Sequence, residues 1–248
     1  MKFQQILTLA RVPNVPTVWS NGLMAWVLAG GQTVHWPALL AALAGGTLVY
    51  AGGCTLNDAF DARWDRQHKP DRLIPSGTLT ERAVWTLGIG EMLAGLAALA
   101  LAGPGTVVLP VLLAAAVLFY DYRHKQNPWS VVIMGACRAL LVLSVAGVAL
   151  GSIAFSPQLW AVAVVVWVYI ISLSLLARRE SRPGGGFLKV LRPQWSVGRW
   201  VGEMLAAIPL VDGLLLLILG AARCPVAMVI CLGLWPLCRL LQQKYAAT

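Results

Sequence analysis

Charge is scarce in this chain: only 12% of its 248 residues are Asp, Glu, Lys or Arg, and ten are acids. A soluble domain carries about twice that share. With 58% hydrophobic residues and a mean hydropathy of +0.73, the deficit excludes an ordinary soluble fold and leaves a polytopic membrane protein. The five cysteines, Cys54, Cys137, Cys224, Cys231 and Cys238, contain no CxxC pair, which excludes a zinc-ribbon reading. Cys224, Cys231 and Cys238 recur every seven residues, near one helix face, where thiols pack as small apolar groups. The net charge of +9 is scattered between apolar runs, so no basic face suggests nucleic acid. Gly184 to Gly186 lacks the following Lys-Ser/Thr of a phosphate-binding loop and reads as a flexible linker. The stretch Met1 to Arg11 has too few apolar residues for a cleavable signal peptide, and the span after it is expected to be retained.

What is present is a series of apolar runs, each near the ~20 residues of a membrane helix. They cover about Thr17 to Gly30, Ala38 to Gly53, Ala83 to Gly103, Thr106 to Phe119, Val131 to Gly151, Leu159 to Ala177, Val201 to Ala221 and Pro225 to Leu241. The first, second and fourth are short, and their ends are expected to run into polar flanks or to tilt. Residues 1–248 thus read as a single all-α transmembrane domain, a bundle of about eight helices, with nine as the alternative, around a central cavity. Eight crossings put every one of the 19 Lys and Arg on one side except Arg138, inside a span, and Arg223, opposite. By the positive-inside rule that side is cytoplasmic and includes both termini. The expected location is a bacterial inner membrane.

The second run ends in Asn57 to Gly77, NDAFDARWDRQHKPDRLIPSG, which holds Asp58, Asp61, Asp65 and Asp71 with Arg63, Arg66, Lys69 and Arg72. In a helix Asp58, Asp61 and Asp65 fall on one face, with Asn57 a turn from Asp61. Like charges so close repel, so the oxygen-rich face suits a divalent cation such as Mg²⁺ shared with phosphate, and the basic residues after it suit the rest of an anion. The plain alternative is a solvated helix end with charges of both signs. Asn57, Asp58, Asp61 and Asp65 form NDxxDxxxD, and Lys69, Arg72, Pro75, Ser76 and Gly77 follow as KPxRxxPSG. This stretch resembles the first aspartate-rich motif of the UbiA superfamily of intramembrane prenyltransferases. The resemblance runs from Arg11 to about Pro183, with Arg11 and Pro13 similar to an early Arg and Pro of the family.

The resemblance implies an all-helical fold and a Mg²⁺-dependent transfer of a prenyl group from an isoprenoid diphosphate to a small or lipid acceptor in the membrane cavity, with no nucleic-acid partner. Asn57, Asp58, Asp61 and Asp65 are then the metal ligands, and Lys69, Arg72, Lys125 and Arg178 or Arg179 neutralise diphosphate. Tyr120 and Lys125, in FYDYRHKQNPWS, are candidate anion contacts, or part of an aromatic and basic interfacial belt. His124 alone is too little to name a base, and His35 reads as solvated. Asn14, Thr17 and Asn21 recur at helical spacing, either lining a cavity where Asn14 and Asn21 bind the acceptor or capping an interfacial helix anchored by Trp19. Arg138 sits about two turns inside a span, where an unpaired charge is costly. It faces either a polar cavity or a structural partner among the other acids expected inside spans, Glu91 and Glu203. Cys54, three residues before Asn57, reads as a small residue at a helix end or as a thiol beside the metal.

The resemblance breaks where the family carries its second aspartate-rich motif. Ser172 to Pro193 reads SLSLLARRESRPGGGFLKVLRP, with Glu180 as its one acid and Arg178, Arg179 and Arg182 in place of carboxylates. Those cations meet diphosphate directly rather than through a metal. ARRE and the start RVPNVPTVWSN are similar to the divergent EboC-type branch, which handles a small metabolite precursor. The loss leaves a second expectation, a non-catalytic binding or transport protein that moves a small metabolite or lipid precursor across the membrane.

Overall fold

The structure, a computed structural model, describes residues 1–31, 35–125, 127–178, 196–219 and 224–245. Among these, every regular element is a helix: α1 Phe3–Leu9, α2 Val15–Leu28, α3 Trp36–His68, α4 Glu81–Ala102, α5 Val108–Arg123, α6 Ser130–Leu150, α7 Pro157–Ala177, α8 Val197–Leu219 and α9 Pro225–Lys244, with short 3₁₀ turns at Val12–Asn14 and Pro104–Thr106. Their starts follow local chemistry. Pro16, Pro37 and Pro157 occupy first-turn positions whose missing N–H costs nothing. The Thr80 hydroxyl accepts from Ala83 N at the start of α4, and that of Ser156 from Leu159 N at the start of α7.

Eight helices, α2 to α9, match the eight apolar runs, and six of them are long and apolar enough to cross a bilayer. The exceptions, α2 and α5, stay at 14 and 16 residues and gain little from their flanks. The second run does extend into its polar flank: α3 continues for 33 residues, about 50 Å, against a hydrocarbon core of about 30 Å. Its surplus is the acid-bearing segment, which therefore projects beyond the apolar layer as a continuation of a membrane helix.

Close packing of α3 on α4 aims that projection. A Cβ on Gly95 would lie 2.7 Å from Val49 N and 2.8 Å from Gly45 O, and one on Gly52 would lie 2.8 Å from Met92 N. Without a hydrophobic force between helices in lipid, such small-residue contacts hold spans together. α2 occupies the middle, touching α3, α6, α8 and α9, and Trp19 is its one exposed residue. Leucines, valines and isoleucines on the outer faces of α4, α7, α8 and α9, such as Leu93, Val164, Ile218 and Val226, are exposed and meet lipid.

The turn after α3 carries the Pro-Ser-Gly signature. Gly77 has φ +73, a left-handed conformation that a Cβ disfavours, and the chain reverses through Ser76 N to Arg72 O at 2.9 Å and Leu79 N to Leu73 O at 2.9 Å. The reversal returns Ile74 and Leu79 to a small core with Leu9, Ala59, Ala62 and Val84. Arg72 is thereby held over the acid face of α3.

Candidate functional site

Asp58, Asp61 and Asp65 face the space between the α3–α4 turn and the α5–α6 turn, and each meets a cation there. Arg72 Nη1 donates to Asp58 Oδ1 at 3.1 Å and to Asp65 Oδ2 at 2.9 Å. From the other turn, Lys125 Nζ lies 2.9 Å from Asp61 Oδ1 and 3.9 Å from Asp65 Oδ1, and His124 Nε2 lies 3.5 Å from Asp61 Oδ2. Lys125 also sits 3.7 Å above the Trp64 ring, and the Tyr120 ring stacks on His124 at 5.0 Å. Asp65 is 1% exposed, so its charge is removed from water and rests on these partners.

Arg11 closes the inner edge. It has φ +45, the one positive φ at a non-glycine among the described residues, and such strain persists where surroundings fix it. The bend lets Nη2 donate to Asn57 Oδ1 at 3.3 Å and approach Asp58 Oδ1 at 3.5 Å. Asn57 Nδ2 donates to Asp121 Oδ1 at 3.0 Å, which joins α3 to α5. Lys69 stands outside the pairs. Its ammonium is pushed below its ordinary value by partial burial and then by the Arg72 guanidinium.

The donors are carboxylate and amide oxygens, as Mg²⁺ prefers, and Asp65 Oδ1 and Asp121 Oδ2 are buried without a hydrogen bond. Among the described residues no three His, Cys, Asp or Glu converge on one point, because each carboxylate turns toward its cation. The residues fit a hard cation once Arg72 and Lys125 turn outward, and both belong to turns.

Deeper in the bundle, Tyr50 lies seven residues before Asn57, about 10 Å along α3. Tyr50 and Cys137 pack on the central core yet keep accessible surface. So do Arg11, Cys54, Tyr120 and Arg138, which are surrounded by protein. Together they form a half-buried, partly polar group below the acids. Arg138 faces inward, with Nη2 donating to Thr17 Oγ1 at 3.1 Å and its guanidinium 5.6 Å from the Tyr50 ring centre. The expected structural partners are engaged elsewhere: Glu91 accepts from Thr55 at 2.8 Å, and Glu203 pairs with Arg239. The acid that does lie nearby is Asp212 of α8, which accepts from Ser20 and Asn21. Asn14 and Asn21 are both buried on α2.

Arg178 does not join the acid face through its described bonds. It donates to Pro128 O at 2.6 Å and Asn127 O at 3.2 Å, and to Ser130 Oγ, bracing the turn that carries Lys125. Arg179, Glu180, Arg182 and the Gly184 to Gly186 run lie outside the described residues. Of the other basic residues, Arg66 pairs with Glu81 at 2.7 Å on the outer face.

Four site residues were not assigned from the sequence. Arg11 matches a family position without a stated role, His124 alone is too little to name a base, and Asp121 and Asp212 are not singled out. A lone acid inside an apolar run was the signal available for Asp212. A cavity of about 250 Å³ at the opposite end, lined by Leu28, Gly30, Leu150, Ser156 and Gln158 among others, contains no charged residue and lies far from this chemistry.

Comparison with known proteins places these features. The model of the UbiA prenyltransferase family matches residues 15–247. A digeranylgeranylglyceryl phosphate synthase from Metallosphaera sedula is 32% identical over 121 residues, 49% of this chain and 43% of the relative. The corresponding synthase from Saccharolobus solfataricus is 26% identical over 180 residues, 71% of this chain and 61% of the relative. The chain thus spans about half the length of the curated relatives it matches. Among solved structures, an apo UbiA homologue from Aeropyrum pernix K1 aligns with a TM-score of 0.61 at 15% identity over 92% of this chain and 98% of that one. A UbiA homologue from Archaeoglobus fulgidus bound to DMAPP and Mg²⁺ aligns at 0.55 and 12% identity over 98% and 88%. At these identities the structures speak to fold alone.

Proposed function

This chain belongs to the UbiA prenyltransferase family, and from that premise we propose that it is a Mg²⁺-dependent prenyltransferase moving a prenyl group from an isoprenoid diphosphate to an acceptor held in its cavity. The observation that carries the reading is the acid face of α3, Asn57, Asp58, Asp61 and Asp65, opposed by Arg11, Arg72 and Lys125 at the mouth of an apolar bundle. Synthases among the relatives support the enzyme over the transport alternative.

Asn57, Asp58, Asp61 and Asp65 would hold the metal, with Asp121 facing Asn57 from α5. A divalent metal held by these residues would supply positive charge to stabilise the departing diphosphate. Arg72 and Lys125 turn from carboxylate to phosphate oxygen, a move their turn positions permit. Lys69, already uncommitted, adds a third cation, and Tyr120 offers its hydroxyl at the rim. Arg178 enters as the brace of the Lys125 turn. The apolar faces below keep water from the reacting carbon, while Asn14, Asn21 and Arg138 hold the acceptor. The excess of basic residues at this end supports its placement on the cytoplasmic side.

The test uses purified protein in nanodiscs with Mg²⁺, labelled geranylgeranyl diphosphate and a membrane lipid extract as acceptor. Binding should require Mg²⁺ and fail in Asp61→Asn, and diphosphate should be released. Mg²⁺-dependent binding without release would sink the transferase reading, and binding indifferent to Mg²⁺ and to Asp61 would remove the metal assignment.

A further inference from the structure

Asp121 of α5 borders the acid face without sharing its pattern of contacts. Asp58, Asp61 and Asp65 each lie within 4 Å of a basic side chain, whereas among the described residues Asp121 has no such partner. It is 5% exposed, its Oδ1 accepts from Asn57 Nδ2 at 3.0 Å, and its Oδ2 is buried without a hydrogen bond. Asp121 therefore meets an amide where the other acids meet cations.

That amide has two unlike ends. Arg11 Nη2 donates to Asn57 Oδ1 at 3.3 Å and lies 3.5 Å from Asp58 Oδ1, so Asn57 and Asp58 present oxygens to one cationic nitrogen. A guanidinium only donates, and Asp121 Oδ1 accepts whether or not Oδ2 holds a proton. An amide turned end for end would set Nδ2 against Arg11, donor on donor, and point its oxygen away from Asp58. Asn57 is thus held from both sides with its oxygen toward the cation.

The two sides differ once a metal enters. A divalent cation shared by Asn57 and Asp58 competes with Arg11 for the same two oxygens, so Arg11 no longer secures the amide. Asp121 stands on the other side and competes for neither oxygen. Without it the buried Nδ2 would lose its acceptor, and nothing on that side would oppose turning the amide.

We propose that Asp121 is a positioning residue for metal binding: it takes the Asn57 Nδ2 hydrogen bond and so fixes the Asn57 oxygen toward the metal, without being a ligand itself. The proposal rests on the reading of Asn57 and Asp58 as metal ligands.

Full-length protein in nanodiscs is titrated calorimetrically with Mg²⁺ as wild type, Asp121→Asn and Asp121→Leu, each with and without Asn57→Ala. Both Asp121 variants remove its charge and only Asp121→Leu removes the acceptor, so their difference reads the hydrogen bond. Asp121→Leu should bind Mg²⁺ about tenfold more weakly than Asp121→Asn, and that ratio should vanish in the Asn57→Ala background. With asparagine ¹³C-labelled at the side-chain carbonyl, the Mg²⁺-induced infrared shift that Asn57→Ala abolishes should persist in Asp121→Asn and disappear in Asp121→Leu. A mere tie between α3 and α5 would not move that band. Where Asp121→Leu fails to fold, the exchange variant combining Asn57→Asp with Asp121→Asn decides. It should bind Mg²⁺ at least as tightly as Asp121→Asn, because the introduced amide donates to the introduced carboxylate, whose other oxygen meets the metal.

Equal affinities in Asp121→Leu and Asp121→Asn, a ratio that survives Asn57→Ala, or an exchange variant weaker than Asp121→Asn overturns the proposal. Release of diphosphate from geranylgeranyl diphosphate is measured in parallel. Mg²⁺ binding that follows the expected pattern without release sinks the transferase reading alone, release with equal affinities sinks the positioning role alone, and a wild type that binds no Mg²⁺ sinks the metal assignment and the positioning role together.

Discussion

Replacing Arg72 by glutamine should move two ligands in opposite directions. Arg72 bridges Asp58 and Asp65 at 3.1 and 2.9 Å and is 26% exposed on its side chain, so the metal-free protein should lose about 1–2 kcal/mol, well below the cost of breaking a fully buried pair. The guanidinium also competes with any cation for those carboxylates. Two unit charges 4 Å apart interact by about 1 kcal/mol even at the dielectric of water. A divalent ion therefore gains roughly 2 kcal/mol when Arg72 goes, close to thirtyfold in affinity. Isothermal titration of Mg²⁺ into Arg72→Gln should show that tightening, while geranylgeranyl diphosphate, deprived of a phosphate contact, should bind at least tenfold more weakly at saturating Mg²⁺. An unchanged or weakened Mg²⁺ affinity would refute the idea that Arg72 stands in for the metal, whatever happens to diphosphate.

Other outcomes follow from the same geometry. Lys69→Gln should reduce diphosphate affinity severalfold with no change in thermal midpoint, since among the described residues Lys69 pairs with no acid; a fall in midpoint would show a structural role. Gly77→Val should cost about 1–3 kcal/mol from the left-handed backbone and, by loosening the turn, weaken diphosphate binding as Arg72→Gln does. Gly95→Leu forces a side chain against Val49 N and Gly45 O and should lower stability by about 3 kcal/mol or more, read as loss of monodisperse protein in detergent; tolerance would mean that α3 and α4 separate easily.

Much of the fold was legible because apolar runs in lipid announce themselves, and eight runs became eight helices. The acid face was legible because its residues are neighbours in sequence at helical spacing. What escaped reading was set by distance along the chain. The partner of Ser20 and Asn21 is 191 or 192 residues away, and no local pattern ties an isolated Asp212 to them. Glu91 and Glu203 were better marked as partners for Arg138, yet Thr55 and Arg239 take them. Arg11 reaches Asn57 only because its backbone adopts a left-handed bend, and the second run seemed short because the charged residues that complete α3 are unlike a membrane sequence.

The burial of α2 bears on how the protein is made. A helix touched by lipid almost nowhere cannot reach its final surroundings when it first enters the bilayer, because α8 and α9, which cover it, are synthesised last. At about 5–20 residues per second, the 191 residues between Asn21 and Asp212 correspond to roughly 10–40 s during which Ser20 and Asn21 wait without their carboxylate. The nascent chain must shelter those polar groups in that interval, with one another, with water or with the insertion machinery, and the polar interior takes its final form only as the last two helices arrive.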